Sequence, residues 1–121
     1  MPKLFQINIC SNILSTGKIC EDIAKVAISH GYESYIAYGR MAKPGVSNEI
    51  RIGSKIETYE HYAEHCLFDR EGLASRRATK RLIQAIDNIK PDIIHLHNIH
   101  DHYLNYPLLF RYLAMINTPV V

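Results

Sequence analysis

The stretch from Pro91 to Tyr103 constrains this chain more than any other. It opens on a proline that stops a helix and continues through the apolar Ile93, Ile94 and Leu96. It then crowds His95, His97, Asn98, His100, Asp101 and His102 into eight residues. Apolar side chains need burial, and polar ones need water, a ligand or one another. A buried strand that carries its polar end out to a rim meets both demands. In open α/β sheets the rim at the carboxyl ends of the strands is where ligands bind.

A chain of 121 residues makes one domain at most, and 47% apolar content supplies a core for it. Fourteen Lys and Arg against twelve Asp and Glu leave a charge of +2, too mild to argue for nucleic acid. No apolar run approaches membrane-spanning length, and the N-terminus lacks a signal-peptide pattern. Cys10, Cys20 and Cys66 form no C-x-x-C pair, so neither a disulfide framework nor a zinc knuckle is indicated. The expectation is a cytoplasmic protein whose cysteines act as small buried hydrophobes.

The chain alternates strand and helix signals. Leu4 to Cys10 reads as a first strand, and Asn12 to Gly17 as a loop. From Lys18 the apolar spacing of Ile19, Ile23, Val26 and Ala27 predicts a helix with that stripe inward. Ser15 or Thr16 is its expected cap, Glu21 and Asp22 sit near its positive end, and Gly31 stops it. Glu33 to Gly39 is a second strand, joined to the first by what should be a right-handed crossover. Met41 to Asn48 reads as an exposed loop and Glu49 to Ile52 as a short third strand.

Helices are expected over Lys55 to Phe68 and over Ser75 to Lys90, the latter on the stripe Ala78, Leu82, Ala85, Ile86 and Ile89. Pro91 should push Lys90 out of helical geometry. Asp92 to His97 is the fourth strand and Asn98 to Asn105 a polar crevice loop. A last helix carries Pro107 in its first turn, with Asn105 as its cap and an apolar face from Leu108 to Ile116. Val120 and Val121 look like the start of a fifth strand. Such alternation implies an α/β fold, a doubly wound parallel sheet of order 3-2-1-4-5. The loops after the first and fourth strands should then line one crevice.

Three groups of residues in this frame carry chemistry. Ser15, Thr16, Gly17 and Lys18 open a helix, where free amides and the helix dipole attract anions. They are not a P-loop, because its first glycine is missing and Ile19 stands where its hydroxyl should be. Taken alone, the four residues are better read as a simple capped helix with a glycine in its first turn. In the second group, His95 and His97 share one side of a strand, and His100 with Asp101 or His102 could complete a metal site. The run H-L-H-N-I-H-D-H is one residue longer than the H-x-H-x-D-H of metallo-β-lactamase-like hydrolases, and His95 could instead be a hydrogen-bonded core residue. The third group is basic: Arg70, Arg76, Arg77, Lys80 and Arg81 suit a solvated helix face or a contact with an anionic membrane.

Asn8 to Gly39, Tyr59 to Leu73, Ser75 to Leu82 and above all Pro91 to His100 resemble bacterial family 4 glycosyltransferases. The branch they look like builds capsular, exopolysaccharide or O-antigen sugars. Tyr103, Asn105, Leu109, Phe110, Tyr112 and Leu113 extend the most specific part. Many relatives carry a double glycine where this chain has Ser15-Thr16-Gly17. The resemblance implies a GT-B architecture of two Rossmann-like domains, of which residues 1–121 are the acceptor-side N-terminal one, ending inside the fifth strand.

It also implies retaining transfer, without metal or other cofactor, from a nucleotide-sugar donor to a glycan or lipid-linked acceptor. The donor is held by a C-terminal domain outside this sequence, and a peripheral contact at the inner face of the membrane is expected. Substrate-binding roles carry over to Ser15, Thr16, Gly17 and Lys18 on the phosphate side, and to His97, Asn98, His100 and Tyr103 on the acceptor side. No catalytic residue carries over, and the fragment alone is expected to transfer no sugar. The rival expectations are a metal-dependent hydrolase built on His95, His97, His100 and His102, and a non-catalytic binding module or split-enzyme subunit.

Overall fold

The first strand is the one on which the others are laid. In β1 (Lys3–Ser11) every residue after Lys3 is buried, although polar and apolar types alternate along it. Burial on both faces needs cover on both, and the computed structural model, which describes residues 1–52, 76–97 and 106–121, supplies it. Phe5, Ile7 and Ile9 face a core that also contains Ile94, Ala78, Leu82, Ile86 and Leu109. The alternate residues face α1 (Leu14–Ser29).

β1 pairs in parallel with β2 (Glu33–Ala42) on one side and with β4 (Ile93–Leu96) on the other. β3 (Asn48–Arg51) adds to β2, also in parallel, so the sheet runs β3-β2-β1-β4. Beyond β4, Val120 bridges Ile94 in the parallel sense, with backbone hydrogen bonds from Ile94 to Pro119, Leu96 to Val121 and Val121 to Ile94. The α/β class and the all-parallel sheet therefore stand as expected from the sequence. Both β1 and β2 run further than expected. A register shift between Asn8 and Cys10 lets Cys10 and Ser11 pair with Met41 and Ala42, which turns the start of the expected loop into strand.

α1 departs from expectation in three ways. It begins at Leu14 rather than Lys18, so part of the expected loop is helical. Its N-cap is Ile13, with no side-chain hydrogen bond, and no acidic residue lies in its first turn; neither Ser15 nor Thr16 caps it, and Glu21 and Asp22 lie too far along. Its buried residues are Gly17, Cys20, Glu21 and Ala24, while Ile19 and Val26 are more than half exposed. Small side chains let the helix lie close to β1, and the larger apolar ones are left outside. The C-terminus is as expected. Gly31 takes φ +88, its N–H donates to Ile28 and that of Tyr32 to Ala27, the Schellman pattern.

α2 (Arg76–Ile89) buries Ala78, Leu82 and Ile86 on the expected stripe and exposes Lys80 and Arg81. Lys90 leaves helical geometry before Pro91, at a left-handed φ of 54. The Lys3 ammonium donates to the Ile89 carbonyl at 3.0 Å, and its backbone N–H donates to Asp92 at 2.7 Å. α3 (Tyr106–Leu113) stops short of Ile116, and the Tyr112 hydroxyl donates to the Asp87 carboxylate of α2. The expected helix over Lys55 to Phe68, Cys66, Arg70, the cap Asn105 and the crevice loop lie outside the described residues. No described helix is long and apolar enough to cross a membrane.

Leu82 is 1% exposed within the core between sheet and helices. Leu82→Ala should cost about 2–5 kcal/mol of unfolding free energy by urea denaturation, whereas Lys80→Ala on the exposed face should change it by less than about 0.5 kcal/mol.

Candidate functional site

Because β1 and β4 are adjacent and parallel, the connections that follow them leave the same edge of the sheet. One leads into α1 and the other begins at His97. The turn into α1 is irregular. Asn12 and Leu14 both take left-handed φ values, 53 and 61, with Ile13 extended between them. Asparagine tolerates that region; for leucine it costs on the order of 1 kcal/mol. The turn is held by Asn12, whose N–H donates to the Gly17 carbonyl at 3.1 Å and whose side-chain amide donates to the Pro44 carbonyl at 2.8 Å.

Gly17 is buried where α1 meets the end of β1. A Cβ there would come within 3.2 Å of Asn12 N and of Cys10 Cβ. Its missing side chain thus makes room for β1. Ser15 and Lys18 are exposed beside it, and Thr16 is half-buried. The segment after β2 is stitched to the same region. Lys43 N–H donates to the Ser11 carbonyl, and Val46 N–H to the Glu21 carboxylate at 2.7 Å.

On the β4 side, His97 N–H donates to the Ile7 carbonyl, which extends the pairing by one residue. The rings of His95 and His97 lie on one side of the strand, stacked at 4.1 Å between centroids and 23° between planes. Strand parity had implied that shared side. His97 Nε2 lies 2.7 Å from Oε1 of Gln6, and the Gln6 amide in turn donates to the Cys20 carbonyl of α1 at 3.0 Å. Burial, with a smaller contribution from nearby His95, lowers the His97 pKa to about 4, so the ring is neutral at physiological pH. Cys20 is buried too, and its thiol is pushed up to about 12, which leaves it unreactive.

Gln6 is the residue that sequence reasoning missed. In the sequence it is only a polar residue alternating with Phe5, Ile7 and Ile9; in the structure it is fully buried and joins β1, α1 and His97. The available signal was Leu4 and Cys10, which put apolar surface on the same side of the strand as Gln6 and Asn8. Asn98, His100 and Tyr103, with Asp101 and His102, lie outside the described residues. Among the described residues no three His, Cys, Asp or Glu side chains group as metal ligands. An open cavity of about 540 Å³, lined by Asp22, Ile23, Val26, Ala27, His30 and Tyr32, lies along the C-terminal half of α1, away from His97. No protein-family model, curated protein or solved structure matches this chain.

Two outcomes follow from this geometry. Gly17→Ala gains up to about 1 kcal/mol of helix propensity but crowds β1 backbone that has little freedom to yield; overpacking costs of about 1–3 kcal/mol should win and lower the urea midpoint. As pH falls, the unfolded chain protonates His97 near 6.5 while the folded chain resists until about 4. The His97 contribution is therefore complete above about 6.5 and is lost as pH drops toward 4. Between pH 7 and pH 4.5 the wild-type urea midpoint should fall further than that of His97→Gln.

Proposed function

We propose that this chain is the acceptor-side, Rossmann-like part of a retaining glycosyltransferase of GT-B architecture. It would serve the transfer of a sugar from a nucleotide-sugar donor to a glycan or lipid-linked acceptor in bacterial surface polysaccharide synthesis. The observation that carries the reading is the neutral His97 at the carboxyl end of β4, beside β1 and over the Gln6–Cys20 link to α1. A neutral imidazole suits sugar hydroxyls, which exchange hydrogen bonds without charge, better than it suits phosphate.

The start of α1 supplies the complementary chemistry. Ser15, Thr16 and Lys18 stand at a helix N-terminus, where amides and the dipole favour a diphosphate, and Gly17 lets that end of the helix seat against β1. Asn98, His100 and Tyr103 would complete the acceptor side from the connection after β4. In this reading the Val120 bridge is the first pair of a fifth strand, in the order 3-2-1-4-5, and the donor domain follows it. Lys80 and Arg81, exposed on α2, provide the peripheral contact with an anionic membrane surface.

In the source organism, a His97→Ala allele expressed at wild-type level should reduce incorporation of labelled sugar from nucleotide-sugar pools into surface glycan at least tenfold. That loss corresponds to about 1.4 kcal/mol of transition-state stabilisation. A complete deletion of the gene that leaves surface glycan unchanged in composition and chain length would overturn the reading.

A further inference from the structure

Buried glutamine in the middle of a sheet has to satisfy both ends of its amide, and here each end has one partner. The Gln6 NH₂ group lies 3.0 Å from the Cys20 carbonyl, an acceptor that cannot donate. The orientation of the amide is therefore settled, and Oε1 is the end that faces His97 at 2.7 Å. Oε1 cannot donate either, so the proton between them belongs to His97 Nε2. A neutral imidazole carries one proton, and with that proton on Nε2 the Nδ1 nitrogen holds a lone pair. The His97 ring makes no other hydrogen bond among the described residues and is only half-buried.

We propose that Gln6 is a positioning residue that holds His97 as the Nε2–H tautomer, leaving Nδ1 as an acceptor that takes a hydroxyl-bearing ligand and refuses an anion. The ligand class follows from the atom: a lone pair accepts from O–H or N–H and repels carboxylate or phosphate oxygen. The stacked His95 ring favours a neutral His97, because like charges on two rings 4.1 Å apart would repel; the choice between the two neutral tautomers falls to Gln6. Cys20 ties this preference to the seating of α1, since its carbonyl is what orients the Gln6 amide. The hydroxyl donor deepens the proposed function and rests on it; the tautomer does not, and it is measured without any sugar.

The experiment is ring nitrogen NMR on the ¹⁵N-labelled 121-residue chain, with the His97 signals assigned by their loss in His97→Gln. In the wild type, Nδ1 should resonate as an unprotonated nitrogen and Nε2 as a protonated one, with no titration at the ordinary imidazole midpoint. Gln6→Glu keeps an acceptor opposite Nε2 and adds a charge; it should retain the tautomer and move the His97 midpoint upward. Gln6→Met removes the acceptor and should release the ring to a mixture of tautomers while circular dichroism shows the fold intact. If Gln6→Met does not fold, the wild-type tautomer and the Gln6→Glu shift decide the matter alone. A wild-type Nδ1–H ring, a mixture of tautomers in the wild type, an unmoved midpoint in Gln6→Glu, or an unchanged single tautomer in folded Gln6→Met would each overturn the inference. Failure of sugar transfer in cells with the tautomer confirmed would count against the glycosyltransferase reading and leave the role of Gln6 standing.

Discussion

Covering one strand on both faces is the constraint from which the rest of this fold follows. β1 is paired along both edges and buried on both sides, so it has no solvent-facing position after Lys3. One face is met by the aliphatic side chains of α2 and α3, an ordinary hydrophobic contact that tolerates small adjustments. The other face carries Gln6 and Asn8, which must be hydrogen-bonded because leaving a buried amide unmade costs about 1–3 kcal/mol. Gln6 is bonded at both ends and Asn8 donates to the Cys10 carbonyl. The polar face thus has fewer acceptable arrangements than the apolar one, and it fixes how α1 lies over the sheet.

The seating of α1 explains why its sequence pattern misleads. Ile19, Ile23 and Val26 recur at helical spacing and are the larger apolar residues, so they predict the inward stripe. The buried stripe is Gly17, Cys20 and Ala24, which has the same period displaced around the helix. Close approach to β1 selects small residues, as the 3.2 Å clearance at Gly17 shows. Hydrophobicity alone ranks the two stripes in the wrong order because it scores transfer from water and ignores the distance between elements. The same close approach draws Asn12 and Leu14 into left-handed geometry, since the chain has only two residues in which to turn from strand into helix.

At the rim, the shared side of His95 and His97 was legible because a strand alternates its side chains by a fixed period. What keeps His97 neutral was not. Its neutrality depends on burial and, to a smaller degree, on His95, while the setting of its ring depends on a neighbour 91 positions earlier in the chain, and no local pattern couples Gln6 to His97. In the proposed glycosyltransferase, that distant contact would decide which atom of the ring the acceptor sugar meets, while the residues at the α1 N-terminus would serve the phosphates.

The amino-acid order by itself determined the succession of the described strands and helices, the stops at Gly31 and Pro91, the stripe of α2 and the position of His95 and His97 at the end of a strand. These rest on backbone chemistry and side-chain period, which act over a few residues. Only the tertiary structure decided which face of α1 turns inward, how far β1 and β2 extend, and which proton His97 keeps. Each of those is set by atoms brought together from distant parts of the chain, where clearance and hydrogen-bond partners outweigh local preference.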